Sequence, residues 1–190
     1  KSPAILDVDA DIGRAAETIM AGKLMNAGQT CVAPDYVLAP AARFDATVAA
    51  LRKAATKLYP DAERRDFTSL NSPRAHARLQ ALEAGLDVQP LFEVAPPRYR
   101  PALALNPPLD HPIMREEIFG PLLPVIAYDD LDGAIAIARA LPDPLALYWF
   151  GEANARFRTA LERTRSGAVA LNETVLQAGV SQLPFGGVGA

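Results

Sequence analysis

The chain has 190 residues, of which 50% are hydrophobic and 22% are charged, and this composition indicates a folded core rather than a disordered segment. The net charge of −3, with acids and bases mixed along the chain, excludes a basic nucleic-acid face, and no run approaches the roughly 18 uncharged apolar residues that span a membrane. One cysteine excludes a disulfide framework and a cysteine-based zinc site, and it fits the reducing cytoplasm.

Short apolar runs alternate along the chain with stretches of helical periodicity. The predicted strands cover residues 4–8, 36–39, 88–94, 102–105, 122–128, 146–150 and 168–171. The predicted helices cover residues 12–24, 44–58, 73–84, 131–141 and 153–164. This alternation is typical of a doubly wound α/β fold, in which helices cover both faces of a mostly parallel sheet.

The first helix carries signals for its beginning and its end. Asp9 or Asp11 can cap its N-terminus, and Gly28 suits the turn after its last residues. Residues 29–31 are therefore predicted to lie in a turn.

Cys31 is the first candidate for chemistry because it is the only thiol in the chain. Most free cysteines are buried and inert, so the thiol by itself favours a structural role. Its position in a turn, off the apolar stripe of the preceding helix, favours a solvent-reachable thiol and adds some weight to a nucleophilic role. A turn can present the thiol and its own backbone N–H to a carbonyl group, which acyl transfer requires.

Two further segments carry motifs that are weak when each is taken alone. Residues 116–121 are Glu-Glu-Ile-Phe-Gly-Pro, which is also typical of a solvated helix end. Residues 183–189 are Leu-Pro-Phe-Gly-Gly-Val-Gly, without the strand, helix and lysine of a phosphate-binding loop. His76 and His111 are expected at the surface, and neither has a partner histidine at metal-ligand spacing, so no metal site is predicted.

Taken together, three segments resemble the aldehyde dehydrogenase superfamily. Residues 28–31 (Gly-Gln-Thr-Cys) resemble its nucleophile motif, residues 117–121 (Glu-Ile-Phe-Gly-Pro) its nicotinamide-ribose motif, and residues 184–187 (Pro-Phe-Gly-Gly) its late substrate-pocket motif. They occur in the family's order and at about its spacing, and the resemblance covers essentially the whole chain. The longer strings around them look most like the class 3 branch and, within it, the coniferyl aldehyde dehydrogenases.

The resemblance implies a role for four residues. Cys31 is expected to be the nucleophile, which forms a thiohemiacetal with the aldehyde; hydride transfer to NAD or NADP then leaves a thioester that water hydrolyses. Glu117 is expected to accept hydrogen bonds from the nicotinamide ribose, and it is also a candidate general base. Phe119 is expected to pack beside the nicotinamide, and Phe185 to line the apolar aldehyde tunnel. The implied substrate is an aromatic aldehyde such as coniferyl aldehyde, or a medium-chain aliphatic aldehyde.

The resemblance also has implications for the extent of the chain. Residues 1–190 are expected to be the catalytic, nucleophile-bearing domain, with the family's general-base glutamate and its cofactor domain before Lys1 and an oligomerisation tail after the last residue. We therefore expect a homodimeric parent enzyme, while this chain alone is expected to be inactive and to bind no cofactor tightly.

Two other classes of function stay open on the sequence. A non-catalytic binding or interaction module predicts that Cys31 is unreactive. A cysteine hydrolase would pair Cys31 with His76 or His111, and it requires one imidazole within hydrogen-bond reach of the thiol.

Overall fold

The structure is a computed structural model that describes residues 1–61 and 65–183. Within these ranges the strands are β1 (Pro3–Leu6), β2 (Tyr36–Pro40), β3 (Val88–Pro90), β4 (Ala102–Leu105), β5 (Leu122–Tyr128), β6 (Ala146–Phe150) and β7 (Ala168–Leu171). The α-helices are α1 (Ile12–Leu24), α2 (Phe44–Leu58), α3 (Pro73–Glu83), α4 (Pro112–Arg115), α5 (Leu131–Ala140) and α6 (Ala155–Arg163).

The seven strands form one sheet in the order β3-β4-β5-β2-β1-β6-β7. Neighbouring strands are parallel except for β3 and β4, which are antiparallel. Ile5 of β1 lies opposite Leu38 of β2 on one side and Trp149 of β6 on the other. The predicted mostly parallel sheet is therefore confirmed.

Two hydrophobic clusters cover the two faces of the sheet. One cluster packs α1 and α2 against side chains that include Tyr148 of β6, and the other packs α3 to α6 against side chains that include Trp149. Tyr148 and Trp149 are adjacent on β6, and their side chains point in opposite directions because side chains alternate along a strand. The helices thus cover both faces, as predicted. No helix in the described ranges is long and apolar enough to cross a membrane.

Some elements differ from the sequence-based expectation. Strand β1 ends at Leu6 rather than at residue 8, and helix α6 begins at Ala155 rather than at residue 153. The strand expected at residues 88–94 ends at Pro90, whose nitrogen carries no hydrogen to continue a ladder. The short helix α4 was not predicted, although His111 and Pro112 supply its start: the His111 ring accepts a hydrogen bond from the Ile113 N–H.

Candidate active site

The nucleophile motif comes after α1 in a turn with unusual backbone angles. Asp11, rather than Asp9, caps the start of α1 by accepting a hydrogen bond from the Arg14 N–H. After the helix, Asn26, Ala27 and Gly28 all have positive φ angles, of 50°, 53° and 75°. Successive residues in this left-handed region reverse the chain abruptly. The turn therefore carries residues 29–33 away from the helix axis.

Cys31 lies in the next turn, which the Ala33 N–H closes by donating to the Thr30 carbonyl at 3.0 Å. The thiol residue is exposed, whereas Val32 beside it is buried in the core. The predicted turn at Cys31 is confirmed, and so is the prediction that solvent reaches this residue.

The segment that holds Glu117 and Phe119 lies against this turn. It reaches from α4 to β5, and its Gly120 packs directly on Gly28. Phe119 has a φ of 45°, a conformation that is uncommon for an aromatic residue and that often marks functional sites. Because β2 and β5 are parallel neighbours, the segments that lead into them meet at the same edge of the sheet.

Cys31, Glu117 and Phe119 line one small cavity, together with Lys1, Ser2, Thr30, Ala33 and Asp35. Its volume is about 10 Å³, roughly the space that one water molecule needs. Three of the four predicted site residues are thus brought together; the fourth, Phe185, lies outside the described residues. A larger cavity of about 430 Å³ lies beside α5 and α6 and contains none of the three described site residues.

Asp35 joins the segments around this cavity, and sequence reasoning did not identify it. Its buried carboxylate accepts hydrogen bonds from Lys1 Nζ at 2.9 Å and from the Ile118 N–H at 3.3 Å. Lys1 Nζ also donates to the Glu116 carbonyl at 2.9 Å, and the Asp35 N–H donates to the Ser2 carbonyl at 2.8 Å. The site is therefore held by a charged group between β1, β2 and the segment before β5.

Lys23, near the end of α1, faces the same carboxylate. Its Nζ lies 3.8 Å from Asp35 Oδ1 and has no hydrogen-bond acceptor among the described residues. Burial lowers the pKa of Lys23 to about 8, against the attraction of Asp35. Two ammonium groups thus share one carboxylate, which itself lines the cavity.

Glu117 sits in a mixed electrostatic field. Partial burial raises the pKa of its carboxyl group, and repulsion from Asp35 adds to this, while Lys1 and Arg78 oppose the change. Arg78 also donates to the Glu117 carbonyl at 3.0 Å and to the Ile118 carbonyl, which fixes the backbone of this segment. A carboxyl group with a raised pKa suits a general base because its proton affinity lies nearer to neutral pH.

The two histidines lie away from the thiol. The His76 ring packs against Tyr99, with ring centroids 4.8 Å apart, and the His111 Nε2 lies 3.2 Å from the Ala84 carbonyl. Both are half-buried rather than at the surface as expected, and neither lines the cavity that contains Cys31. The geometry therefore gives no support to a cysteine hydrolase. In the part of the chain that the structure describes, no group of three residues is arranged to hold a metal ion.

Comparison with known proteins identifies the family. The model of the aldehyde dehydrogenase family matches residues 1–190. The chain belongs to this family. A probable coniferyl aldehyde dehydrogenase from Pseudomonas aeruginosa is 43% identical over 196 residues, and aldehyde dehydrogenase family 3 member A2 from Mus musculus is 35% identical over 194 residues. These relatives confirm the predicted resemblance to the class 3 branch.

Each of these two alignments covers 100% of the chain but only 41% and 40% of the relatives. Solved aldehyde dehydrogenases share the fold. The substrate-bound state of AldH from Staphylococcus aureus has a TM-score of 0.91 at 37% identity, and covers 100% of this chain and 43% of its own. The NADP-dependent glyceraldehyde-3-phosphate dehydrogenase from Bacillus halodurans, complexed with NADP, has a TM-score of 0.86 at 26% identity. This match covers 100% of the present chain and 41% of the dehydrogenase chain.

Proposed function

We propose that this chain is the nucleophile-bearing part of an NAD(P)-dependent aldehyde dehydrogenase, which oxidises an aldehyde to its carboxylic acid. The observation that carries the proposal is the common cavity of Cys31, Glu117 and Phe119. These residues come from segments far apart in the sequence, and the family places a nucleophile, a carboxylate and an aromatic ring in one site.

Cys31 supplies the nucleophile. Its thiolate adds to the aldehyde carbon, and the resulting thiohemiacetal carries an oxyanion. The backbone N–H of Cys31 donates no hydrogen bond to another described residue, which supports a role in holding that oxygen. Oxidation of the adduct leaves a thioester on Cys31, which stays reactive enough for water to release the acid.

Glu117 is the candidate base for this release. Its side chain is exposed and lines the cavity beside Cys31, and its pKa is raised. A carboxylate in this position can accept a proton from the water molecule that attacks the thioester. The cavity has room for about one water molecule, which agrees with that role.

The same residues fit the nicotinamide end of a cofactor. The Glu117 carboxylate can accept hydrogen bonds from ribose hydroxyls, and the half-buried Phe119 ring offers an apolar surface beside the thiol. When bound, a nicotinamide cofactor, NAD or NADP, supplies the acceptor for the two electrons that aldehyde oxidation releases. A cavity of about 10 Å³ does not enclose a dinucleotide, so we propose that this chain binds none tightly by itself.

The substrate, the assembly and the compartment are inferred from the family and from the surface. The names of the relatives favour an aromatic aldehyde such as coniferyl aldehyde, with medium-chain aliphatic aldehydes as the alternative. We propose a homodimer because edge strand β7 exposes Val169 and Leu171. A reducing cytoplasm would keep the exposed thiol of Cys31 free.

Hydrolysis of an activated ester tests the roles of Cys31 and Glu117 without a cofactor. We expect p-nitrophenyl acetate to acylate the native chain once, followed by slow turnover, and Cys31→Ala to abolish both phases. Glu117→Gln should slow release of the acetyl group at least tenfold, while Glu116→Gln, which alters the adjacent exposed carboxylate outside the cavity, should not. Equal release rates in the two glutamine variants would contradict the base, and an unreactive Cys31 would favour the binding-module alternative.

A further inference from the structure

The hydroxyl group of Tyr148 lies between the turn of Cys31 and the segment after β7. Tyr148 is fully buried in β6. Its hydroxyl donates to the Val32 carbonyl, and it accepts hydrogen bonds from the Val175 N–H at 3.3 Å and from Gln177 Nε2 at 3.1 Å. One donor and two acceptor sites are all that a phenolic hydroxyl offers, so its hydrogen-bonding capacity is fully used.

The electrostatic surroundings of this hydroxyl agree with its contacts. Burial raises the pKa of Tyr148, the hydrogen bonds from Gln177 and Val175 lower it, and the charge of Cys31 raises it. The hydroxyl therefore keeps its proton for the Val32 carbonyl and lies within electrostatic reach of the thiol.

The segment on the other side of this hydroxyl is strained. Val175 has a φ of 64° and a ψ of −40°, and the Leu176 N–H donates to the Thr174 carbonyl at 2.6 Å. These features define a γ-turn with a positive φ at its centre, which is a rare and strained form, and a β-branched residue there is a clear outlier. Such a conformation persists only where surrounding contacts fix it. Here the Val175 N–H is held by Tyr148, and the Thr174 hydroxyl donates to the Thr18 carbonyl of α1 at 3.0 Å.

We propose that Tyr148 is a positioning residue that couples the strained turn at Val175 to the orientation of the Cys31 thiol. The coupling rests on the proposed role of Cys31 as nucleophile. The hydroxyl fixes the carbonyl of Val32, and Val32 comes directly after Cys31 in the same short turn. A displacement of Val175 therefore changes the hydrogen bond that holds the residue next to the thiol.

The same connection borders a cavity of about 220 Å³. Val32 lines it from the nucleophile turn, and Gln177 and Ala178 line it from the segment after Val175. A group that enters this cavity contacts Val32 and Gln177, which are two of the three hydrogen-bond partners of the Tyr148 hydroxyl.

Alkylation of Cys31 by iodoacetamide tests the proposal because this is the only thiol of the chain. Tyr148→Phe keeps the ring and removes the hydroxyl. Tyr128→Phe is the matched control, since the buried Tyr128 hydroxyl donates to the Leu6 carbonyl at the opposite edge of the sheet. We expect Tyr148→Phe to slow alkylation roughly fivefold, as for the loss of about one net hydrogen bond, and Tyr128→Phe to leave the rate within about twofold of the wild type.

A double-mutant cycle separates coupling from a general loss of stability. Val175→Gly relieves the strained turn, and we expect it to slow alkylation roughly threefold when Tyr148 is present but not in the Tyr148→Phe background. The positioning role would be overturned if the two substitutions changed the alkylation rate by independent factors, or if Tyr148→Phe reacted as fast as the wild type. Either result would leave Cys31 as the nucleophile. A wild-type thiol that does not react in the native chain would overturn both proposals.

Discussion

Gly28 lies against the carbonyl group of Gly120 so closely that a β-carbon on Gly28 would be 2.2 Å from the Gly120 oxygen. The close approach seats the Glu117 segment on the nucleophile turn, and backbone rather than a flexible side chain is the obstacle. The φ of Gly28, 75°, adds a second reason why only glycine fits there.

Gly28→Ala should therefore destabilise the protein and disturb the site. Gly85→Ala is the matched control, because Gly85 has a φ of 78° and nothing within 4 Å of its β-position. In both variants the left-handed backbone conformation lowers the free energy of unfolding by about 1–2 kcal/mol. In Gly28→Ala, overpacking against the Gly120 carbonyl lowers the free energy of unfolding by a further 1–3 kcal/mol or so. Urea unfolding measures the difference, and equal losses in the two variants would show that the contact with Gly120 is unimportant.

Asp35→Asn should be among the most destabilising changes near the site. It leaves the buried ammonium groups of Lys1 and Lys23 without their counter-charge, and removal of one partner from a buried ion pair costs about 3–5 kcal/mol. Glu17→Gln is the control, since the Glu17–Lys57 pair is exposed and stabilises by at most about 1 kcal/mol. Thermal unfolding of both variants checks the prediction, and comparable shifts in Tm would contradict it.

The lowered pKa of Lys23 predicts that the protein becomes more stable at alkaline pH. Its pKa is about 8 in the folded state and 10.5 when unperturbed, so between these values the unfolded chain binds more protons. The free energy of unfolding therefore increases with pH across this window, by on the order of 3 kcal/mol if Lys23 acts alone. We expect Lys23→Met to reduce this increase to the part that Lys1 contributes, because burial also lowers the pKa of Lys1. Lys57→Met, at an exposed lysine, should retain the full increase. Parallel pH profiles for the wild type and Lys23→Met would show that Lys23 is not the group responsible.

The purified chain should not reduce NAD or NADP. Charge-assisted hydrogen bonds to Glu117 contribute about 1.5–3 kcal/mol, which does not offset the loss of freedom, estimated at about 4 kcal/mol or more, on binding a dinucleotide. Absorbance of the reduced nicotinamide, measured with coniferyl aldehyde as substrate, checks this. Steady turnover by the 190-residue chain would contradict it.

The sequence predicted the fold and the turn at Cys31 because local signals determine both. Helical periodicity and Asp11 define α1, and Gly28 defines the turn after it. The roles of Asp35 and Tyr148 were not predicted, since both act through contacts with residues distant in the chain. In sequence, Tyr148 is one more large residue in the apolar run of β6, and Asp35 comes after a proline in a loop. Only the folded sheet brings their polar atoms to the site.

The central claim is that Cys31 adds to an aldehyde in a site that stabilises the adduct. ¹³C NMR of the chain with an aromatic aldehyde labelled at the carbonyl carbon measures this directly, because the thiohemiacetal carbon is tetrahedral. We expect a tetrahedral-carbon signal that is absent in Cys31→Ala, with a dissociation constant at least tenfold lower than that of a peptide of residues 26–36. This ratio corresponds to about 1.4 kcal/mol of stabilisation by the site. A signal that persists in Cys31→Ala, or equal dissociation constants for the chain and the peptide, would contradict the claim.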